Sequence, residues 1–329
     1  MFNDFLFFFA AIILLNSLIY YFHDYFSKIG IPFDKPDEKR KFHTGPVLIS
    51  GGTIFFINII FLIIFLNLRP ISIENYYLLN LLYLFGIFFF IFGFIDDKID
   101  LNPWIKFIFM ILILWIFLKL SDVFIINQLK FSFTDKIFSL GKYSFIITLV
   151  CYLLFINAFN MFDGINLQSS IFSFSLIFYF ILVNFSYELN LLLLPSMILF
   201  SILNFKNKSF LGDGGCYMMA FILGSYSINA YNEGYIPNCD IIFLLMILPG
   251  FDMLRLFLER ISKKKSPFSP DRNHFHHILL NKISYNKTIL LIANIIFINL
   301  LLIFFKFDTR VILFLFLCAY FYFMLKFRY

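Results

Sequence analysis

Long apolar runs, separated by short polar breaks, occupy most of this 329-residue chain. A bilayer core is about 30 Å thick and needs about 20 apolar residues per helix, so each long run predicts a membrane-spanning helix. The first run lacks the basic start and cleavage site of a signal peptide, and we expect it to be retained. The pattern predicts an all-α, polytopic integral membrane protein with about 11 transmembrane helices, centred near residues 3–22, 47–66, 77–95, 103–120, 143–159, 168–186, 189–204, 214–231, 239–257, 288–305 and 309–325.

The composition excludes a soluble protein. Hydrophobic residues make up 61% of the chain, 53 residues are Phe and only 14% are charged. No globular core is large enough to hide that much apolar surface from water. The four cysteines show no Cys-x-x-Cys spacing, which indicates neither a disulfide framework nor a zinc site. We expect one membrane-embedded domain over residues 1–329.

The distribution of Lys and Arg predicts the orientation in the membrane. With the spans above, 19 of the 26 basic residues fall on one side and 7 on the other. The positive-inside rule makes the first side cytoplasmic, which places the amino terminus outside and the carboxyl terminus in the cytoplasm. The net charge of +6 then reflects topology and phosphate binding, since no basic tract is interleaved with exposed aromatic residues as in a nucleic-acid surface.

Two polar clusters lie in the first half of the chain, both on the predicted cytoplasmic side. The segment DKPDEKRKFHTG contains Lys41 and His43, and alone it is typical of an ordinary positive-inside loop. The segment IDDKIDLNPWIK places Asp96 and Asp97 at the end of the third span. Two adjacent carboxylates at the end of an apolar helix repel each other, so this pair favours a shared cation or proton. A hydrated helix end is the alternative.

Two further clusters contain amides and single carboxylates. In NAFNMFDGIN, Asn160, Asp163 and Asn166 follow one another at spacings of three, which predicts neighbouring positions on one helical face, with Gly164 loosening the turn. In NFKNKSFLGDGG, Asn204 precedes an Asp213 that is flanked by glycines, just before the eighth span. The glycines permit a tight backbone, and amides at the start of that helix can face an anion. A simple turn also explains the glycines, but it does not explain the carboxylate between them.

The fifth cluster, SPFSPDRNHFHH, holds three of the five histidines in the longest predicted cytoplasmic loop. Zinc binding is conceivable, but the spacing matches neither a zinc finger nor His-Glu-x-x-His, and no cysteine lies near. Imidazoles beside an arginine suit phosphate oxygens better. The candidate phosphate-binding residues are Arg272, His274, His276 and His277.

Transfer between phosphates at a membrane surface needs this set of groups. Carboxylate and amide oxygens are the ligands that Mg²⁺ prefers, and Mg²⁺ usually binds through one or two protein oxygens plus substrate phosphates. Basic residues would bind the remaining phosphate oxygens, and a further carboxylate would accept or donate a proton. The sequence has no Walker A motif or kinase glycine loop, so ATP is not the obvious donor.

In order and content, DKPDEKRKFH, DDKIDL, NAFNMFDGIN, FLGDGG and SPFSPDRNHFHH closely resemble the motifs of the polyprenyl-phosphate N-acetylhexosamine-1-phosphate transferases. The resemblance runs from about residue 34 to residue 277. It implies transfer of an N-acetylhexosamine-1-phosphate from a UDP-sugar to undecaprenyl phosphate, with Mg²⁺, in the bacterial inner membrane. The products would be undecaprenyl-diphospho-sugar and UMP, initiating a cell-surface polysaccharide. A homodimer is compatible with it.

The resemblance also implies roles for single residues. Asp213 matches a metal-binding carboxylate, with Asn160 as an amide near the metal and the diphosphate. Asp96 matches the carboxylate proposed to deprotonate the lipid phosphate, Asp97 lies beside it, and Asp163 matches a further active-site acid. The positions that match substrate contacts are Lys41, His43, Lys106, Asn166, Asn204, Arg272, His274, His276 and His277.

Departures from the family pattern define the alternatives. The chain reads DGINLQSS where the family often has Asp-Gly-Ile-Asn-Gly-Leu, and Cys216 replaces the usual serine. The loop reads HFHH, and not three consecutive histidines, which favours the surface-polysaccharide branch over phospho-MurNAc-pentapeptide translocase. A polytopic transporter is the alternative from another class. It predicts polar residues near the middle of the membrane and two related halves of sequence, whereas the clusters here lie at one predicted interface.

Asp252 and Arg255 lie three residues apart, and they form either an internal ion pair or a contact that shapes the site.

Overall fold

The computed structural model describes residues 2–36, 45–68, 73–266 and 273–328. Helices dominate these ranges, and two short antiparallel hairpins pair β1 (Phe33–Asp34) with β2 (Val47–Leu48) and β3 (Gln128–Lys130) with β4 (Ile137–Ser139). The helices are α1 (Phe2–Phe22), α2 (Gly51–Leu68), α3 (Ile73–Ile99), α4 (Pro103–Leu120), α5 (Ser144–Phe162), α6 (Gln168–Leu182), α7 (Tyr187–Phe205), α8 (Gly212–Asn232), α9 (Cys239–Leu245), α10 (Ile247–Ser262), α11 (Phe275–Leu280), α12 (Tyr285–Phe304) and α13 (Thr309–Arg328).

The all-α, multi-pass architecture agrees with the prediction, but the count of eleven spans is not confirmed. Within the described ranges, eight helices are long and apolar enough to cross a membrane, or nine if α9 and α10 form one bent span. The run predicted at 168–186 contains α6, which has only 15 residues. Helix α8 is 21 residues long but rich in Gly, Ser, Tyr and Asn, and it is not among the candidate spans.

The ninth predicted span, expected as one run over residues 239–257, is broken. Helices α9 and α10 meet at an angle of 76° on either side of Met246. Pro249 has no N–H to donate to the carbonyl four residues earlier, so a continuous helix would lose a bond there. The side chain of Asn299 donates a hydrogen bond to the Leu244 carbonyl at 2.6 Å. A backbone oxygen freed at the break is thereby satisfied within an apolar environment.

The chain divides into two compact units. The first unit comprises Met1–Asp122 and Phe180–Ser225. Within it, α1 packs on α7, and α2 packs on both α3 and α7. Asn16 and Asn58 exchange two side-chain hydrogen bonds of 2.8 and 3.2 Å, which satisfies both buried amides between α1 and α2.

The second unit comprises Val123–Tyr179 and Tyr226–Tyr329. Helix α5 packs against α10, and the short helix α11 packs against α12 and α13. On this unit the β3–β4 hairpin is tied to the chain near α9, because Asp240 accepts hydrogen bonds from both the N–H and the hydroxyl of Ser132.

Candidate active site

Four charged residues of the first unit, which we call the carboxylate cluster, meet at the ends of three helices: Asp96 and Asp97 of α3, Lys106 of α4 and Asp213 of α8. The Asp96 side chain is fully buried, with Oδ1 at 2.9 Å from the Lys106 ammonium group. The same oxygen accepts from the Leu101 N–H at 3.0 Å, and Oδ2 accepts from the Tyr217 hydroxyl at 3.0 Å. Both oxygens are therefore engaged, unlike those of a hydrated helix end.

Asp97 caps the amino terminus of α8. Its Oδ1 accepts from the Asp213 N–H at 2.8 Å, and its Oδ2 accepts from the Gly214 N–H at 3.1 Å. We expected amides at the start of this helix to face an anion, and the anion that they face is a carboxylate of the chain itself. A carboxylate suits this position because it satisfies unpaired N–H groups at the positive end of the helix dipole. Asp97 thus determines how Asp213 is presented.

Close backbone approach makes this cap geometrically feasible. A Cβ built on Gly93 of α3 would lie about 2.5 Å from backbone atoms of Gly214. No side chain other than hydrogen fits such a contact, because real Cβ atoms do not approach backbone that closely. Gly93 therefore lets α8 lie directly on α3 at Gly214.

Lys106 and Asp213 complete the cluster. The Lys106 ammonium nitrogen is 3.8 Å from Asp213 Oδ2 and 3.7 Å from the fully exposed Asp100. The Asp213 side chain is 29% exposed, whereas that of Asp96 is not exposed at all. Sequence reasoning assigned Lys106 to phosphate, and the structure places it among carboxylates. Of Asp96 and Asp213, the latter is the one accessible to an incoming group.

The donor set of this cluster fits Mg²⁺. Among the residues that the structure describes, no three or more His, Cys, Asp and Glu side chains are arranged to hold a metal ion alone. Mg²⁺ does not require such a cage, because it commonly uses one or two carboxylates together with substrate phosphates. Asp96 and Asp213 already lie on one cation, the Lys106 ammonium group, so their oxygens can serve a common positive charge. Asn160, the second predicted ligand, belongs to the other unit.

Asn204 lies at the end of α7 with its side chain buried. Its amide donates to the Ser209 carbonyl at 2.8 Å and so closes the turn that precedes α8. The Ser209 hydroxyl lies 2.8 Å from that of Ser50, which lies 2.8 Å from Nε2 of the buried His23. This buried polar chain, which the sequence did not predict, holds the turn in place. The predicted uridine contact of Asn204 stays a prediction.

Residues 160–166 of the second unit, which we call the acidic loop, depart from the expected helical face. Helix α5 ends at Phe162, so Asn160 is helical whereas Asp163 and Asn166 lie in the turn before α6. The Asp163 N–H donates to the carbonyls of Phe159 and Asn160, and Asp163 is thereby the residue that caps the carboxyl end of α5. The carbonyl of Asn166 accepts from the Tyr285 hydroxyl at 2.8 Å. The expectation of one continuous face was wrong beyond Phe162.

Three imidazoles of the second unit form the histidine cluster: His274, His276 and His277. The ring centroids of His276 and His277 are 4.2 Å apart, and those of His274 and His276 are 5.3 Å apart. His276 is only 1% exposed, and its Nδ1 lies 3.3 Å from the Gln168 amide nitrogen. A Cβ at Gly164 would overlap the His276 ring. His276 is therefore packed against the loop that carries Asp163.

The buried environment also determines the charge of His276. Burial, followed by the neighbouring His277 and His274, lowers the pKa of His276 well below its ordinary value of 6.5. A neutral, buried ring is suited to holding two segments together. Its predicted phosphate contact stays a prediction, as do those of His274 and His277, whose side chains are partly exposed.

Comparison with known proteins supports the resemblance inferred from the motifs. Residues 79–231 match the family model of glycosyl transferase family 4. The undecaprenyl-phosphate alpha-N-acetylglucosaminyl 1-phosphate transferase of Salmonella typhi is 29% identical over 269 residues, which cover 77% of this chain and 70% of that protein. Proteins of the same name from Escherichia coli K12 and Thermotoga maritima are each 28% identical; the alignments cover 82% and 79% of this chain, and 75% and 77% of theirs. The predicted resemblance is confirmed.

The glycosyl transferase family 4 match contains the whole carboxylate cluster and the acidic loop, whereas the histidine cluster lies beyond it. Three predicted substrate contacts, Lys41, His43 and Arg272, lie outside the described residues.

Sequence reasoning missed Tyr217, Gln168 and Tyr320, which contact Asp96, His276 and Asp252 respectively. A signal was present for the tyrosines. A buried Tyr inside an apolar run needs a partner for its hydroxyl, whereas Phe, used 53 times here, needs none.

Proposed function

We propose that this protein transfers an N-acetylhexosamine-1-phosphate from a UDP-sugar to undecaprenyl phosphate and releases UMP. The observation that carries the proposal is the carboxylate cluster, which lies within the family match and presents one partly exposed carboxylate beside a buried one. The relatives reported above are all named as N-acetylglucosaminyl 1-phosphate transferases, so UDP-N-acetylglucosamine is the first donor to test. Such a product would initiate a cell-surface polysaccharide.

In this reaction a phosphate oxygen of the lipid attacks the phosphorus that bears the sugar. The bond from that phosphorus to the bridging oxygen breaks, and UMP leaves with the electron pair. Asp213 would hold Mg²⁺, which would neutralise charge on the diphosphate. Lys106 holds a positive charge beside both carboxylates, and Asp97 orients the first turn of α8 so that Asp213 faces the accessible side.

Proton transfer needs one further carboxylate. The family resemblance makes Asp96 the base for the lipid phosphate, but its two oxygens accept from Leu101 and Tyr217 and face Lys106. An exchange of the Lys106 contact for the incoming phosphate would free Oδ1 for that role. Asp163, which lies in the turn after α5, is the second candidate acid or base.

The donor contacts are proposed for each cluster by itself. His274 and His277, with Arg272, would bind phosphate oxygens of the sugar nucleotide, because imidazolium and guanidinium groups donate charge-assisted hydrogen bonds to phosphate. Asn166 and Asn204 are the proposed uridine contacts, Asn160 a second ligand near the metal, and Lys41 and His43 further substrate contacts.

The topology is part of the proposal. A multi-pass protein that uses a nucleotide sugar needs its site in the cytoplasm, and the 19 to 7 distribution of basic residues supports that orientation in a bacterial inner membrane. The amino terminus would then be outside and the carboxyl terminus inside. That residues 1–329 act as one domain, and that two copies associate, stay predictions.

The deciding experiment measures UMP release by the full-length protein in detergent, with undecaprenyl phosphate and a panel of UDP-N-acetyl sugars. UMP formation that requires both the lipid and a divalent cation would support the proposal. UMP release without a lipid-linked product would indicate a hydrolase, and no turnover with any donor would overturn the proposal.

His277→Ala should raise the KM for the donor and lower kcat, because it removes a phosphate contact without removing the metal ligands.

A further inference from the structure

Asp252 of α10 joins three segments of the second unit through one buried carboxylate. Its Oδ1 accepts from the Tyr320 hydroxyl at 2.6 Å and from Arg255 Nη2 at 2.8 Å. Its Oδ2 accepts from the Phe275 N–H at 3.2 Å and lies 3.5 Å from His274 Nδ1. Both the backbone at the start of α11 and the first imidazole of the histidine cluster are thus directed at the same oxygen.

The surroundings of Asp252 keep its charge and its position. Arg255 also donates to Glu259 at 3.0 Å and to the carbonyl of Asn273, which immediately precedes His274. The Tyr320 ring stacks on Phe275, with centroids 4.9 Å apart and planes at 21°. A buried carboxylate with a guanidinium partner and two further donors is stabilised as the anion.

We propose that Asp252 is a positioning residue for the donor substrate, acting through His274. The carboxylate holds the Nδ1 edge of the imidazole, which leaves Nε2 to donate to a phosphate oxygen of the sugar nucleotide. The observation that supports this role is the 3.5 Å distance between Asp252 Oδ2 and His274 Nδ1. This inference rests on the proposed function for its substrate. Arg255 and Tyr320 act one step further back, by fixing Asp252.

The first experiment needs no substrate. Full-length protein in detergent is treated with diethyl pyrocarbonate, and acylation of each histidine is followed by mass spectrometry. We expect Asp252→Asn to change the acylation rate of His274 by about threefold or more, because the ring loses its anchor, while His23, hydrogen-bonded to Ser50 in the other unit, keeps its rate. Unchanged His274 reactivity would overturn the positioning role.

The second experiment is a double-mutant cycle on donor kcat/KM. We expect Asp252→Asn to lower it about tenfold or more when His274 is present, and less than about twofold in a His274→Ala background. The KM for undecaprenyl phosphate should stay within about twofold in all four proteins. Equal losses in both backgrounds would show that Asp252 only stabilises the fold, and would refute the inference.

Tyr320→Phe replaces Asp252→Asn in both experiments if the latter does not fold, because it removes the two hydrogen bonds of the Tyr320 hydroxyl and keeps the charges of Asp252 and Arg255. Its effects should be smaller, in the same direction and equally dependent on His274. If the unmodified protein releases no UMP with any donor, the proposed function fails, and the acylation experiment alone decides whether Asp252 positions His274.

Discussion

The carboxylate cluster and the histidine cluster both gather polar side chains at helix ends, yet their charges are balanced in different ways. In the first, Asp96 and Asp213 share the ammonium group of Lys106, Asp97 caps α8, and Asp213 is partly exposed. In the second, Asp252 is paired with Arg255, and the central imidazole of His276 is buried and neutral. The first arrangement favours an additional cation, whereas the second is already neutralised.

This difference in charge balance indicates what each cluster can do. A group of carboxylates with excess negative charge binds a cation and then an anionic substrate. A balanced network with a buried neutral ring holds segments in fixed positions and presents the remaining imidazoles. Substitutions in the carboxylate cluster should therefore affect turnover most, and substitutions around His276 should affect stability first.

The largest effect is expected for Asp213→Asn. A neutral amide cannot replace a charge that faces a metal ion and two phosphates, so UMP release should fall by at least about a hundredfold at every pH. The matched control is Asp100→Asn, since Asp100 lies at 3.7 Å from the same Lys106 ammonium group but is fully exposed. We expect the control to retain activity within about twofold. Similar losses in both variants would indicate a general charge effect and remove Asp213 as the metal ligand.

Gly164→Ala should be the most destabilising change around the histidine cluster. Its Cβ would overlap the buried His276 ring, and overpacking of this kind typically costs about 1 to 3 kcal/mol. The measurement is the thermal midpoint of the purified protein in detergent. Gly250→Ala is the control, because a Cβ there meets no atom within 4 Å, and its midpoint should be unchanged or slightly raised. An unchanged midpoint for Gly164→Ala would show that His276 can move aside.

Removal of the α8 cap should cost less. Asp97→Ala leaves the N–H groups of Asp213 and Gly214 without their acceptor and should destabilise by about 0.5 to 2 kcal/mol, with Asp97→Asn losing less. Asn102→Ala removes a comparable cap from α4, where Oδ1 accepts from the Trp104 N–H at 3.0 Å. Both alanine variants should lower the thermal midpoint, but only Asp97→Ala should raise the Mg²⁺ concentration needed for half-maximal turnover. Equal Mg²⁺ dependence would mean that Asp97 does not orient Asp213.

The smallest effect is the pH dependence that His276 adds to stability. Because the folded-state pKa of His276 is lowered below its ordinary value of 6.5, the unfolded chain takes up a proton that the folded chain refuses. Stability is therefore lost as the pH falls below about 6.5, with a slope of at most about 1.4 kcal/mol per pH unit. Between pH 7 and pH 5.5, the thermal midpoint of His276→Asn should fall less than that of the unmodified protein, because the variant lacks this proton uptake on unfolding. Parallel curves would place a charged His276 in the fold.

Part of the candidate site could be read from the sequence. Asp96, Asp97, Lys106 and Asp213 were singled out, and the structure brings them together. The separate contact that each of them makes was not predictable, because the spacing of residues does not show which oxygen accepts from which N–H. The cap on α8 joins residues 116 positions apart. Likewise, the histidines were found together, but the burial of His276 depends on Gly164 and Gln168, which lie more than 100 positions earlier in the chain.

The sequence alone determined that apolar helices make up most of the chain, because the length of an apolar run and the solvent it favours are local properties. It did not determine that α6 has only 15 residues. Nor did it determine the break in the ninth predicted span: Pro249 lacks an N–H there, but α7 contains Pro195 and stays continuous. Only the tertiary structure decided the partners: Asp97 on α8, Lys106 between two carboxylates, and Asp252 at the start of α11. Those contacts depend on how closely helix backbones approach, as at Gly93 and Gly214, and such distances arise only when the helices pack.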